Sequence, residues 1–174
     1  YGKKMLTLWP KNKKMDNFFQ RHASLVEQTD TTLIRSLMNE IDWSHRMIGI
    51  KGPRGVGKTT FLLQYAKLNF HPQMERCLYI NMDSFYFQGN GFVEFADEFV
   101  KCGGRTLIVD QAYKQMGWRD MLCQCYHRHP QLHLIYSSTT VEKPNMEFHE
   151  LSQISHDHVL HGFSFREYIN LQTQ

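Results

Sequence analysis

Gly52-Pro53-Arg54-Gly55-Val56-Gly57-Lys58-Thr59 satisfies the pattern G-x-x-x-x-G-K-[ST] in full, and Thr60 follows it. Those residue types at that spacing suit a polyanion. Glycines let the backbone turn tightly and bring its amides against phosphate oxygens without Cβ clashes. A helix opening at the loop adds unpaired amides and the positive end of its dipole. Lys58 is expected to reach the β- and γ-phosphates of a nucleotide, and the Thr59 hydroxyl to ligate Mg²⁺. Nucleotide binding is therefore assigned to Gly52, Pro53, Arg54, Gly55, Val56, Gly57, Lys58, Thr59 and Thr60. Arg54 could touch a phosphate or a neighbouring subunit, or simply face solvent. A second acidic signal follows at Leu107-Ile108-Val109-Asp110, an apolar run ending in a carboxylate. Ligands bind at the C-terminal edge of open parallel sheets, so Asp110 is a candidate Mg²⁺ ligand, directly or through water. An ordinary helix cap is the competing reading for that aspartate.

Both signals need strands to carry them. Arg46 to Ile50 is a short apolar run before the loop, and Phe61, Leu62, Tyr65, Ala66 and Leu68 mark a helix behind it. The alternation then repeats: strands are expected at 77–80, 106–110 and 132–137, with a fifth at 158–163. Helices are expected over 92–100, ended by Gly103-Gly104, and over 118–126, closed by Pro130. Short strands that are apolar throughout are buried on both faces, which implies a parallel sheet between helix layers. Upstream, Thr29-Asp30-Thr31 reads as a cap for a helix carrying Leu33, Ile34, Leu37, Met38 and Ile41. Residues 1–15 read as a flexible basic arm, and residues 16–174 as one domain.

GPRGVGKTT, LIVDQ, YSSTT and HGFSFREYINL occur in one order and spacing over about residues 15–171. Together they resemble a family of bacterial AAA-type P-loop ATPases, often joined to a C-terminal domain of poorly known function. The resemblance implies ATP as the nucleotide and a three-layer α/β fold of the AAA/RecA-like division. Its parallel five-stranded sheet would have the order 5-1-4-3-2. The fourth strand would then bring Ser137, Ser138, Thr139 and Thr140 near the γ-phosphate, where the Thr139 hydroxyl is a candidate contact. Three departures stand out. The family's Asp-Glu is Asp110-Gln111 here; the glutamate would activate the attacking water, whereas an amide can orient water but cannot take its proton. The family's Leu-Ser-Arg-Arg run is Leu151-Ser152-Gln153-Ile154, without the arginine that could assist in trans. The sequence ends at Gln174, about where relatives continue, so a fragment or a shortened relative is expected.

The expected function is thus an ATP/Mg²⁺-binding domain in which Lys58 acts on phosphate and Gln111 positions water poorly, with weakened hydrolysis. Alternatives are an active ATPase completed by a partner subunit, and a nucleotide-gated regulator of nucleic acid using Lys3, Lys4, Lys11, Lys13 and Lys14. Net charge is only +3, and no aromatic and basic residues alternate as in a nucleic-acid groove. A small-molecule P-loop kinase would need an arginine-rich lid, which is not visible. Cys123-x-Cys125-x-His127-x-His129 is not a metal signal, because period-two spacing sends helical side chains to nearly opposite faces. The four cysteines follow no disulfide spacing, and no apolar run approaches the ~18 residues that span a bilayer. A cytoplasmic protein with reduced thiols is expected. Ser164 is read as the cap of a closing helix carrying Arg166 and Glu167.

Overall fold

Five short strands run parallel in the computed structural model of the chain, which describes residues 13–71, 74–88, 91–139 and 150–164. They are β1 (Met47–Lys51), β2 (Cys77–Asn81), β3 (Thr106–Asp110), β4 (His133–Ser138) and β5 (His156–Val159). Their order across the sheet is β2-β3-β4-β1-β5, which is the expected 5-1-4-3-2 arrangement read from the other edge. The register aligns Ile48 with Ile135, Ile108 with Tyr79, and Leu107 with both Leu78 and Leu134.

The absence of polar alternation in β1 to β4 follows from this sandwich. Successive strand side chains point to opposite faces, and both faces are covered. One layer buries Met47, Leu78, Leu107 and Leu134 beneath α4 (Phe92–Lys101), α5 (Trp118–Arg128) and α6 (Glu150–Ile154). The other buries Ile48, Tyr79, Ile108 and Ile135 against Phe61, Leu62 and Tyr65 of α3 (Lys58–Phe70). Following that second face to the C-terminal edge of the sheet leads from Ile108 to Asp110 and from Ile135 to Ser137. Alternation therefore aims both polar residues at the helix that begins with the glycine loop.

Three elements differ from the sequence reading. A helix, α1 (Lys13–Gln28), spans residues for which none was expected, and it includes the last three residues of the expected arm. Met15 is 1% exposed, within the core. Residues 1–12 lie outside the described residues. α1 crosses the sheet beside β2, contributing Met15 and Phe18 to one core layer and Val26 to the other. The helix expected over 33–41 is only a single turn, α2 (Leu37–Glu40). Its upstream half is held by side chains instead: Thr32 donates from its amide and hydroxyl to Asp30 Oδ1 (2.8 and 2.6 Å), and Gln64 Nε2 donates to the Asp30 and Leu33 carbonyls. Such bonds compete with the helical ladder. β5 begins two residues before its expected start and is mostly exposed, as an edge strand paired only with β1 can be. Leu160, within the expected span, lies just past the strand and donates its amide to the Lys51 carbonyl at 2.7 Å.

No described helix is long and apolar enough to cross a membrane.

Candidate functional site

The loop from Gly52 to Gly57 leaves β1 and enters α3. Gly55 and Gly57 have φ of 84° and 91°, the left-handed region in which a Cβ is strained. Gly52 is constrained differently: a Cβ there would lie 2.4 Å from the Leu160 carbonyl oxygen. α3 starts without a side-chain cap, since its N-cap residue is Gly57. Lys58 turns back over the loop and donates from Nζ to the carbonyls of Gly52 (2.7 Å) and Pro53 (2.8 Å). Burial lowers the pKa of its ammonium, Asp110 opposes that shift, and Arg54 adds to it.

Asp110 ends β3 and is 1% exposed. Its Oδ2 accepts hydrogen bonds from the Thr59 and Tyr79 hydroxyls, each at 2.7 Å. Its Oδ1 accepts from the Ser137 hydroxyl and from the Gln111 amide, the latter at 3.0 Å. The sequence-distant pair expected to share a metal, Thr59 and Asp110, is thus in direct contact. Gln111 has φ 55° and ψ 40°, the one positive φ outside glycine among the described residues. Its amide also points to Ser137 Oγ (2.8 Å), and its side chain lies 3.4 Å from Asn81 Oδ1 at the end of β2.

An open cavity of about 380 Å³ lies over these groups, with Arg54, Lys58, Thr59, Asp110 and Gln111 in its wall. A second cavity of about 210 Å³ shares Gly57 with the first and adds Val56, Thr60, Arg35 and Phe163. Arg35 stacks its guanidinium 4.6 Å from the Phe163 ring centroid and donates to the carbonyls of Val56, His161 and Gly162. Gly55, Val56, Gly57, Lys58, Thr59 and Thr60, with Arg54, therefore line two cavities that share Gly57, while Gly52 and Pro53 line neither and act as carbonyl acceptors for Lys58. Thr139 lines neither cavity. Thr140, Arg166 and Glu167 lie outside the described residues. Ser137 faces Asp110 instead of open space.

Sequence reasoning missed Tyr79, Asn81, Tyr113 and Lys114 near the first cavity and Arg35 and Phe163 at the second. Tyr79 sits in an apolar strand and reads as core, so its type carried no signal. Arg35, a lone cation in an apolar stretch, was the one detectable clue. In the Cys and His run, Cys123 and Cys125 are buried, His127 contacts Glu150, and His129 contacts Asp97. No group of three metal-ligating side chains occurs among the described residues.

The sequence profile of the AAA domain family matches residues 44–169. The chain belongs to the AAA domain family. Membership makes the chain a nucleotide-binding domain of P-loop ATPase type. No curated protein matches it. Among solved structures, this AAA domain is similar to Hsp104 in the S. cerevisiae Hsp104-ADP complex. The two share 13% identity with a TM-score of 0.52, covering 88% of this chain and 23% of that one. It is also similar to C. elegans PCH-2, at 11% identity and TM-score 0.49, covering 90% and 45% respectively. Domain III of the Thermotoga maritima replication initiation protein DnaA matches at 15% identity and TM-score 0.49, over 94% of this chain and 71% of that one. The AAA domain thus spans less than half of the PCH-2 and Hsp104 chains. At such identities the Hsp104 likeness speaks for the fold alone. α1 and α2 precede the segment that the AAA profile matches.

Proposed function

We propose that this AAA domain binds ATP with Mg²⁺ in the cavity between the glycine loop and Asp110, and that it hydrolyses ATP slowly. The observation that carries the reading is the 2.7 Å contact between Thr59 Oγ1 and Asp110 Oδ2, on the floor of a cavity walled by Lys58 and Arg54. A hydroxyl beside a carboxylate is an oxygen donor set of the kind that suits Mg²⁺. The uncapped start of α3 and the two left-handed glycines supply amide donors for phosphate oxygens. Lys58 exchanges the Gly52 and Pro53 carbonyls for phosphate, so its charge is stored against the loop until a polyanion arrives. Adenine fits the second cavity, beside Val56 and Thr60, with Arg35 and Phe163 as its stacking wall. When bound, Mg²⁺ would neutralise phosphate charge; Thr59 would ligate it, and Asp110, whose oxygens already accept from four donors, would hold it through Thr59 or a water.

The slow step lies at Gln111. A glutamate there could accept a proton from water; the amide can only orient it. General bases contribute about 10²–10⁴-fold in rate. Binding of a fluorescent ATP analogue, measured with MgCl₂ for the wild type and for Lys58→Ala, tests the site. Affinity at least tenfold weaker in the variant is expected, and equal millimolar-or-weaker binding by both would refute the reading. Phosphate release should be near background in the wild type and rise by about tenfold or more in Gln111→Glu. An unchanged rate in that variant removes Gln111 as the cause.

A further inference from the structure

We infer that Tyr79 is a positioning residue for Asp110, the carboxylate that orients the metal-ligating Thr59 hydroxyl; this rests on the ATP–Mg²⁺ reading above. Tyr79 lies two residues before the end of β2 and pairs with Ile108, so its side chain shares the face of Asp110 on the neighbouring strand. It is 6% exposed and packed in the core layer under α3. A phenylalanine would fill that space, and a hydroxyl in an apolar core is costly unless it finds a partner. The partner it finds is Asp110 Oδ2, at 2.7 Å.

The geometry around the carboxylate explains what that bond does. Four donors converge on Asp110: Tyr79 and Ser137 from the adjacent strands, the Gln111 amide from its own chain, and Thr59 from the start of α3. Thr59 and Gln111 both line the nucleotide cavity, and of the two donor groups only the Thr59 hydroxyl could serve a metal with its own oxygen. Three donors anchored at the sheet edge set the plane of the carboxylate, and the remaining acceptor direction on Oδ2 is left to the Thr59 hydroxyl. Because Thr59 spends its proton on Asp110, its oxygen lone pairs stay available to a cation. Without the phenol, Oδ2 can rotate, and the orientation of the Thr59 hydroxyl is lost with it. Tyr79 is held at its other end too. Its backbone amide donates to Nδ1 of the fully buried His22 at 3.1 Å, so α1 fixes the strand position from which the phenol reaches across.

The test compares affinity for a fluorescent ATP analogue in saturating MgCl₂ and in EDTA. For Tyr79→Phe, metal-free affinity should stay within twofold of the wild type, while the enhancement by Mg²⁺ falls about tenfold, the scale of loss when a group orienting a metal ligand is removed. An enhancement equal to that of the wild type overturns the inference. Equal losses with and without Mg²⁺ also overturn it, because they indicate general damage to the loop. A wild type that binds no ATP under either condition means instead that the ATP–Mg²⁺ reading has failed, and the inference falls with it. Should Tyr79→Phe not fold, 3-fluorotyrosine placed at position 79 of the wild-type chain reports the same contact. Its ¹⁹F resonance should move when MgCl₂ is added to the ATP complex, and a resonance indifferent to Mg²⁺ overturns the role.

Discussion

At Asp110 a single carboxylate, itself buried, accepts from three hydroxyls and an amide at the floor of an open cavity. Replacing it by asparagine would turn an NH₂ group towards at least one of these donors and leave that donor unpaired. Hydrogen bonds to charged groups contribute about 1.5–3 kcal/mol, and an orphaned buried donor adds its own desolvation penalty. Asp110→Asn should therefore lower unfolding free energy by about 2–3 kcal/mol in urea titrations, even without nucleotide. Gly52 makes a contrasting residue-scale prediction. Its missing Cβ is what lets the Leu160 carbonyl approach, and a backbone oxygen cannot swing aside as a flexible side chain can. Gly52→Ala should cost about 1–3 kcal/mol of stability, the usual range for overpacking, read as a lowered urea midpoint. The nature of both residues was evident from motif and strand position. Their neighbours were not, because Tyr79, Ser137 and Leu160 arrive from elsewhere in the chain.

α1 is the element whose consequences reach furthest from its own sequence. It lies against β2, the edge strand, and satisfies one of that strand's outward amides with His22. Burial pushes the His22 pKa down to about 4, and its Nε2 has no partner. The folded state thus disfavours the proton that the unfolded chain takes up at an ordinary histidine pKa near 6.5. This contribution to stability is complete above about pH 6.5 and is lost as pH falls from there towards 4. Between pH 7.5 and pH 5 the loss should be about 2 kcal/mol, taken from the acid limb of that window. Urea unfolding at the two pH values checks it, and His22→Gln should flatten the difference. The sequence reading left residues 16–28 unassigned and put a helix over 33–41 instead. Apolar periodicity in the second stretch was real, but Asp30, Thr32 and Gln64 redirect its backbone bonds into a packed connector.

For the whole domain, nucleotide binding and folding share one equilibrium. The loop, the start of α3 and the end of β3 come together only when the sheet is assembled, so on the proposed reading ATP binds the folded chain alone. A ligand at a hundred times its Kd adds about 2.7 kcal/mol to unfolding free energy. For a chain of this size that raises Tm by roughly 5–10 °C. Differential scanning fluorimetry with Mg²⁺-ATP should show the rise in the wild type and lose it in Lys58→Ala.

The chain order of strands, the glycine loop, its lysine and threonine, and the acidic end of β3 were legible from the sequence alone. These are signals of local period and short spacing, and a few neighbouring residues suffice to encode them. The strand order across the sheet was anticipated through family resemblance and agrees with the structure. Only the tertiary structure decided which polar groups meet. Tyr79 reaches Asp110 across 31 positions and Arg35 reaches the His161 carbonyl across 126. Such contacts depend on strand register and on the path of α1 and β5, and no period within a single segment specifies either. The left-handed backbone of Gln111 belongs to the same class. Its side-chain type was read as an amide where the resemblance implies a glutamate, while its conformation goes with the Asp110 and Ser137 oxygens that hold its amide.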